Sequence, residues 1–531
     1  MKRPFLPRIL TTLLLVCNAW YLQSANPYMP LWEFVPDGEP YVFEDPDHPG
    51  QYRVYVYGSH DTRQTDYCGL DQVVWSASVS DLNHWRCDGV AFVSRRDRDG
   101  QQLHPDGKGD VLFAPDVAMV TLADGRKQYY LYPNNQAGGR NGMVAVSDRP
   151  DGPFRVVNWS DSAADKSEGV LGFDPAVFVD DDGRVYGYWG FERSYGAELD
   201  PSTMATVKPG TAIVEDMVPG CKQDGKFRFF EASSIRKVKG KYVFVYSRKT
   251  YDGEFGLPSS NYTLAYAWAD SPLGPFRYGG TIIDGRGREY GSGGTVRATA
   301  HPNGNTHGGI VEINGRWYVF YHRQCGTDEY SRQAMVAPIE VRVTADSVII
   351  SEAEYTSEGF ETDGLDPLVE HPAGIACYYT HPKAAREVYP NYTFYGSYPQ
   401  PVRASHYGEA EPYAADKSRS PLVNNTNGSV AGYKYFNFSG IHGKKGLSLH
   451  LTLRPNGVKG EIGVHADSPY GKRVATVVVP PIHTETAIEV VTAVRPLARL
   501  WGKHALYLSF NAGVEGVSLC ELESLRFSVK D

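Results

Sequence analysis

Four carboxylic acids and one imidazole recur at matching points along the chain: Asp37, Asp116, Asp174, Glu231 and His307. Each stands at the start of a hairpin, with a second acid, Glu39, beside the first. Carboxylates gathered in one place raise one another's pKa, so one stays protonated while a neighbour stays ionised. That division suits general acid–base chemistry. A single Asp before a strand is more often a solvated turn residue, and Asp180, Asp181 and Asp182 are read that way. Five such positions in register, 57 to 79 residues apart, argue against that reading.

The elements that must position them are five copies of strand, turn and aromatic-rich strand, at 40–58, 114–132, 173–190, 231–247 and 307–323. Tight-turn pairs punctuate the last four: Asp124-Gly125, Asp182-Gly183, Lys239-Gly240 and Asn314-Gly315. A further strand and turn recur downstream, as VAVSDRPDGPF at 144–154 and YAWADSPLGPF at 266–276. Hairpins repeated at this spacing, each with outer strands, predict five blades of a β-propeller. The starts of the innermost strands then face one mouth of the central channel, where the five residues are expected to meet. With 55 Gly, 35 Pro and little helical periodicity, the chain reads as all-β.

Other chemistries are excluded or weakly supported. A net charge of −9 without a basic stripe argues against nucleic acid. Ser59-His60-Asp61 cannot form a triad, because neighbours in a strand point to opposite faces; His60 remains a candidate for lining the cleft. No HExxH, P-loop or GxSxG occurs. The six cysteines beyond residue 25 are scattered, which disfavours zinc and leaves a Cys68–Cys87 pairing open. Residues 1–25 carry Lys2, Arg3 and Arg8, then an apolar run, then Ser24 and Ala25, and are read as a secretory signal. The run is too short for an integral membrane span, so export is expected; Cys17 offers lipidation as an alternative.

Several of these segments resemble glycoside hydrolase family 43. The matching motifs are Asp37-Gly38-Glu39-Pro40 with the VYVYGSHD run, Ala114-Pro115-Asp116-Val117, and Phe173-Asp174-Pro175 before the Asp-rich turn. Glu231-Ala232-Ser233-Ser234-Ile235 and His307-Gly308-Gly309 complete the series. The resemblance implies a five-bladed propeller over 26–350 that inverts configuration at a glycosidic bond. Carried over, Asp37 is the general base, Asp174 tunes pKa values and Glu231 is the general acid. Register from the following strand selects Asp37 as base, whereas anchoring on Pro40 selects Glu39. Glu39 and Asp116 otherwise become sugar or network contacts. His307 resembles a histidine that touches either a cation or a water cluster in the channel; a calcium ion there would be structural. No organic cofactor is implied, and the partner is a polysaccharide or oligosaccharide. Strand ends supply subsite candidates in Trp32, Phe34, Trp189, Phe191, Arg248 and Arg323. α-L-Arabinofuranosidase is the first expectation, then β-xylosidase, then a galactose-releasing exo-glycosidase. The rival is a non-catalytic, lectin-like propeller, against which the retained Glu231 and first-blade acid weigh.

Beyond residue 350 the repeat stops. Residues 351–432 read as a segment buttressing the propeller. From 433 to 531 strand alternation resumes and predicts an antiparallel β-sandwich. That stretch resembles a carbohydrate-binding module of family 6, with Tyr435, Phe436, Tyr470 or Trp501 as sugar-contacting candidates.

Overall fold

The computed structural model describes residues 25–62, 66–94, 109–163, 165–290, 296–299, 304–325, 329–360, 362–380, 400–401 and 421–530. Residues 1–24, on which the expected signal and Cys17 fall, lie outside the described residues. Each expected hairpin is the inner half of one sheet. The first sheet meanders through Glu39–Glu44, Tyr52–Tyr57, Asp71–Ser78 and Asp81–Val93, with Glu39 opposite Tyr57 and Glu44 opposite Tyr52. The next three sheets begin at Asp116–Thr121, Ala176–Val179 and Phe229–Val238 and are also four-stranded. The fifth holds Ile310–Ile313, Arg316–Gln324 and Arg332–Ile339.

Five apolar seams close these sheets into a ring. Phe43 and Tyr55 of the first sheet pack with Tyr129 and Leu131 of the second. Tyr132 packs with Val177 and Val185, and Tyr188 with Phe244 and Tyr246. Val245 and Leu264 meet Val319 and Tyr321, and Val54 and Val56 meet Phe320 and Val336. The last seam returns the ring to its first sheet, so the domain is a five-bladed propeller. Aromatic and β-branched residues form continuous buried runs along the blade strands, as in Tyr52–Tyr57 and Lys241–Arg248, because both faces of each sheet are buried.

The earliest described residues brace the fifth blade. Asn26 donates through Nδ2 to the carbonyls of Val336 (2.6 Å) and Thr356 (3.2 Å), and its Oδ1 accepts the Val336 N–H at 2.9 Å. The Tyr28 N–H donates to the Ala334 carbonyl at 3.3 Å. This locks residues 26–28 beside Arg332–Ile339.

The C-terminal part packs a six-stranded sheet on a five-stranded one, forming a β-sandwich. Ser448–Pro455 alternates buried and half-buried residues, which puts Leu449, Leu451 and Leu453 against Ile462, Val464 and Leu508. The sandwich draws in residues that were expected to buttress the propeller. His371–Pro372 and Leu422–Val423 pair with Cys520–Ser528, and Tyr378–Thr380 pairs with Val430–Asn437. Strands of two or three residues carry no readable alternation, and their partners are distant in sequence. Lys434 ties the sandwich back to the propeller through Glu289 and Glu354. Among the described residues no helix is long and apolar enough to cross a membrane.

Replacing Asn26 with Ala strips three hydrogen bonds from a buried site. The expected loss is about 2–3 kcal/mol, read as a lower thermal midpoint. A midpoint equal to wild type would show that this brace does not stabilise the ring.

Candidate active site

A cavity of about 150 Å³ opens at one mouth of the channel. Asp37, Asp174 and Glu231 line it, together with Tyr67, Phe113, Phe173, Asn305, His307 and Arg332. Asp37 and Asp174 each stand two residues before the first strand of their blade, and both adopt a left-handed backbone, with φ of 60° and 49°. That turn aims the side chain into the channel instead of along the pleat. Glu231 lies within a strand, but bulges break the pairing on either side of it and Ala232 follows at φ 70°.

Asp116 departs from the expected ring of equivalent positions. It is the first residue of its strand, as Glu39 is, so both sit one pleat, about 7 Å, below the cavity and neither lines it. The second-blade residue equivalent to Asp37 is Ala114, which does line the cavity. Asp116 accepts from Tyr41 Oη at 2.6 Å and from the Val177 N–H at 2.6 Å. Burial and the nearby Glu39 charge push its pKa up to about 7. Glu39 accepts from Arg236 Nη2 at 2.8 Å and from Ser234 Oγ at 3.1 Å. Burial opposes its ionisation, but Arg236 and His307 outweigh burial and hold it below the usual carboxylate range. Gly309 makes room for this network, since a Cβ there would sit 2.6 Å from Glu39 Oε2.

The three cavity carboxyls are ionised differently. Burial raises Glu231 well above the usual range, and the charges of Asp174 and Asp37 add to the rise. Asp174 is pushed up to about 6 by burial, partly offset by His307. Its Oδ1 accepts from Asn134 Nδ2 at 3.0 Å and its Oδ2 from the Ala232 N–H at 3.1 Å, which fixes it beside the backbone of Glu231. Burial also opposes the Asp37 charge, but Arg332 overcomes it. Arg332 Nη1 donates to both Asp37 oxygens at 3.1 and 3.0 Å, while Nε and Nη2 reach Asp61 at 2.9 and 2.8 Å. Ser59 Oγ adds a bond to Asp37 at 2.6 Å. His322 is neutral, because burial pushes its pKa down to about 3. Its Nδ1 can therefore accept the Asp37 N–H at 3.1 Å while Nε2 donates to the Asn305 carbonyl at 2.9 Å.

The chain matches glycosyl hydrolases family 43 over residues 44–344. It belongs to that family. Over 442 residues it is 34% identical to a xylosidase/arabinosidase of Thermoclostridium stercorarium, covering 80% of this chain and 85% of that one. It is 28% identical over 315 residues to an arabinoxylan arabinofuranohydrolase of Paenibacillus polymyxa, covering 57% of this chain and 45% of the relative. Among solved structures, a family 43 arabinoxylan arabinofuranohydrolase from Bacillus subtilis in complex with cellotetraose is 21% identical. The match covers 95% of this chain and 97% of that one, with a TM-score of 0.46. Membership of the family, with the Thermoclostridium stercorarium relative, makes the protein a glycoside hydrolase.

As a family 43 chain it raises the question of a channel cation at His307. The two ring nitrogens lie 3.7 Å from Glu39 Oε1 and 3.7 Å from Asp174 Oδ2, and among the described residues neither has a hydrogen-bond partner. Burial disfavours its charge, yet these carboxylates raise its pKa to about 9. Calcium takes six to eight oxygens. Among the described residues no group of three His, Cys, Asp or Glu could hold a metal ion. A water bridging His307 to the two carboxylates fits this donor set, and a calcium ion there would take most of its oxygens from water.

Several subsite candidates lie away from the cavity. His60 is buried between Asp71 (2.8 Å) and Glu33 (3.4 Å), behind the first blade. Phe34 is buried beside Cys325 and Trp32. Trp189 is stacked on Tyr195 in the core between the second and third blades. Arg323 is buried and clamps the carbonyls of Ala376 (2.8 Å) and Gly374 (2.6 Å), while Arg248 pairs with Glu254. Strand ends place residues near the mouth, but apolar packing and carbonyl acceptors claimed these side chains. Arg332 and Asn305 were missed because they lie outside the repeated hairpins; His322 lies near the end of the fifth copy and Ser59 lay in the VYVYGSHD run, but neither stands at a strand start.

Arg332→Met leaves two buried carboxylates without their shared cation. It is expected to cost about 3–5 kcal/mol at pH 7. The folded-state pKa of Asp37 then rises above its unfolded value, and that of Asp61, already raised by burial, rises further, so the deficit shrinks as pH falls towards 4. Urea unfolding at both pH values checks this, and a pH-independent deficit would contradict it.

Proposed function

We propose that the protein is an exported, inverting glycosidase that releases α-L-arabinofuranose from polysaccharide side chains or ends. The observation that carries this reading is that one cavity holds two carboxyls driven to opposite states. Glu231, kept protonated, donates its proton to the glycosidic oxygen as the bond breaks. Asp37, kept ionised by Arg332, takes a proton from the water that attacks the anomeric carbon. A water between base and sugar, opposite the acid, inverts the configuration. Asp174 maintains the Glu231 proton through its charge and through its bond to the Ala232 N–H. The cavity volume suits a single sugar ring, which supports release of one unit at a time. The names of the relatives support the choice of sugar. β-Xylosidase is the second reading, supported by the double name of the Thermoclostridium stercorarium relative. Export rests on the leader pattern of residues 1–25.

The test is turnover of p-nitrophenyl arabinofuranoside, xyloside and galactoside by wild type and three variants. Glu231→Gln and Asp37→Asn are each expected to lower kcat/KM by about 10²- to 10⁴-fold. Full activity in Asp37→Asn would remove it as base, and no turnover by wild type on any glycan would favour the lectin-like alternative. Asp174→Asn removes a charge that raises the Glu231 pKa. The basic limb of its pH–rate profile is therefore expected to move to lower pH, and an unmoved limb would deny Asp174 that role.

A further inference from the structure

Phe191 leaves 48% of its surface exposed. A lone exposed hydrophobic side chain normally needs no explanation, but this one is held in place. The Gly190 N–H donates to the Phe173 carbonyl at 2.8 Å, and the Glu192 N–H donates to the Phe230 carbonyl at 2.5 Å. Both flanking residues have positive φ, 143° at Gly190 and 57° at Glu192. A Cβ on Gly190 would lie 1.9 Å from the Arg193 carbonyl, so the close turn requires glycine. Glu192 is further tethered by Lys222. Backbone cost at Glu192 and two well-placed bonds are thus spent on presenting an aromatic ring to water.

The ring is continuous with the cavity. Its centroid lies 5.1 Å from that of Phe173 and 5.1 Å from that of Phe230, tilted by 52° and 62°. Phe173 lines the cavity and precedes Asp174; Phe230 precedes Glu231. An aromatic surface therefore runs from the cavity wall to solvent along the side that carries Glu231. The leaving sugar must lie on that side, because its oxygen receives the proton from the acid.

We propose that Phe191, backed by Phe230, is the platform on which the leaving-group sugar stacks. Its ligand is the apolar C–H face of a pyranose ring in the chain that bears the scissile bond. This inference rests on the glycosidase reading above, with Glu231 as acid. Stacking on an aromatic face suits a pyranose, whose axial C–H bonds form an apolar surface. A ring already fixed in position loses little entropy on binding.

The test compares wild type, Phe191→Ala and Phe191→Trp in two ways. Titration calorimetry with a linear β-1,4-xylo-oligosaccharide, each protein carrying Glu231→Gln, reads the platform without turnover under either sugar assignment. Ala is expected to weaken binding about tenfold, and Trp to retain it. Initial rates then compare a branched arabinoxylo-oligosaccharide with methyl α-L-arabinofuranoside, whose leaving group has no ring. The ratio of their kcat/KM values is expected to fall by a similar factor in the Ala variant only. Equal affinity of Ala and wild type for the xylo-oligosaccharide overturns the proposal, as does absence of binding by wild type. An equal loss on both substrates also overturns it, since Phe191 would then act by positioning the acid. Failure of wild type to cleave either arabinoside would count against the sugar assignment above, while the titration still decides the platform.

Discussion

One buried guanidinium, Arg332, sits where the fifth blade meets the first and is shared by two first-blade carboxylates. Three of its nitrogens reach Asp37 and Asp61, and Nη1 also meets Asn305 Oδ1 at 3.3 Å. A charge buried this deeply is tolerable only when its donors are satisfied. Satisfying them brings the last strand of the propeller to the first, so closure of the ring and ionisation of Asp37 depend on the same contacts. The apolar seam between Val54, Val56, Phe320 and Val336 lies alongside and supplies the non-directional part of that closure.

Aiming the carboxyls into the channel has a local cost. Asp37, Asp174 and Ala232 all occupy the left-handed region, which costs a residue with a side chain about 1–2 kcal/mol. Each is held there by specific bonds. The Asp37 N–H is taken by His322, and the Ala232 N–H by Asp174. Backbone strain of this kind persists where the surroundings over-determine it. In return the acids leave the alternation of their strands and face one small cavity, where burial separates their ionisation states.

Below that cavity a second polar layer runs from Glu39 through Arg236 and Tyr41 to Asp116, with the Arg236 guanidinium 4.4 Å over the Tyr41 ring. It packs the channel axis with paired charges instead of hydrocarbon. The C-terminal part is joined to the propeller by comparable polar ties. Arg323 holds the carbonyls of Gly374 and Ala376, and Lys434 reaches Glu289. A residue near a strand end is claimed by whichever acceptor lies closest in space, and for Arg323 that acceptor lies about fifty residues away in sequence.

By itself the sequence determined the blade count, the all-β class and the acids at the blade starts, because turn pairs and alternating aromatics are local signals with fixed spacing. The same locality put Asp37, Asp174 and Glu231 among five candidate positions, and the resemblance to family 43, not the spacing, singled out those three. Local spacing could not resolve a difference of two residues at a strand start, which is why Asp116 was placed level with Asp37 although it lies one pleat deeper. Only the tertiary structure decided which acids face the cavity, which cation holds Asp37 ionised, and that His307 stands between carboxylates. It alone joined residues 371–380 to the sandwich and tied the exposed ring of Phe191 to the strands of Asp174 and Glu231. These outcomes depend on partners from tens to hundreds of residues away and on burial that shifts ionisation, neither of which leaves a mark in local spacing.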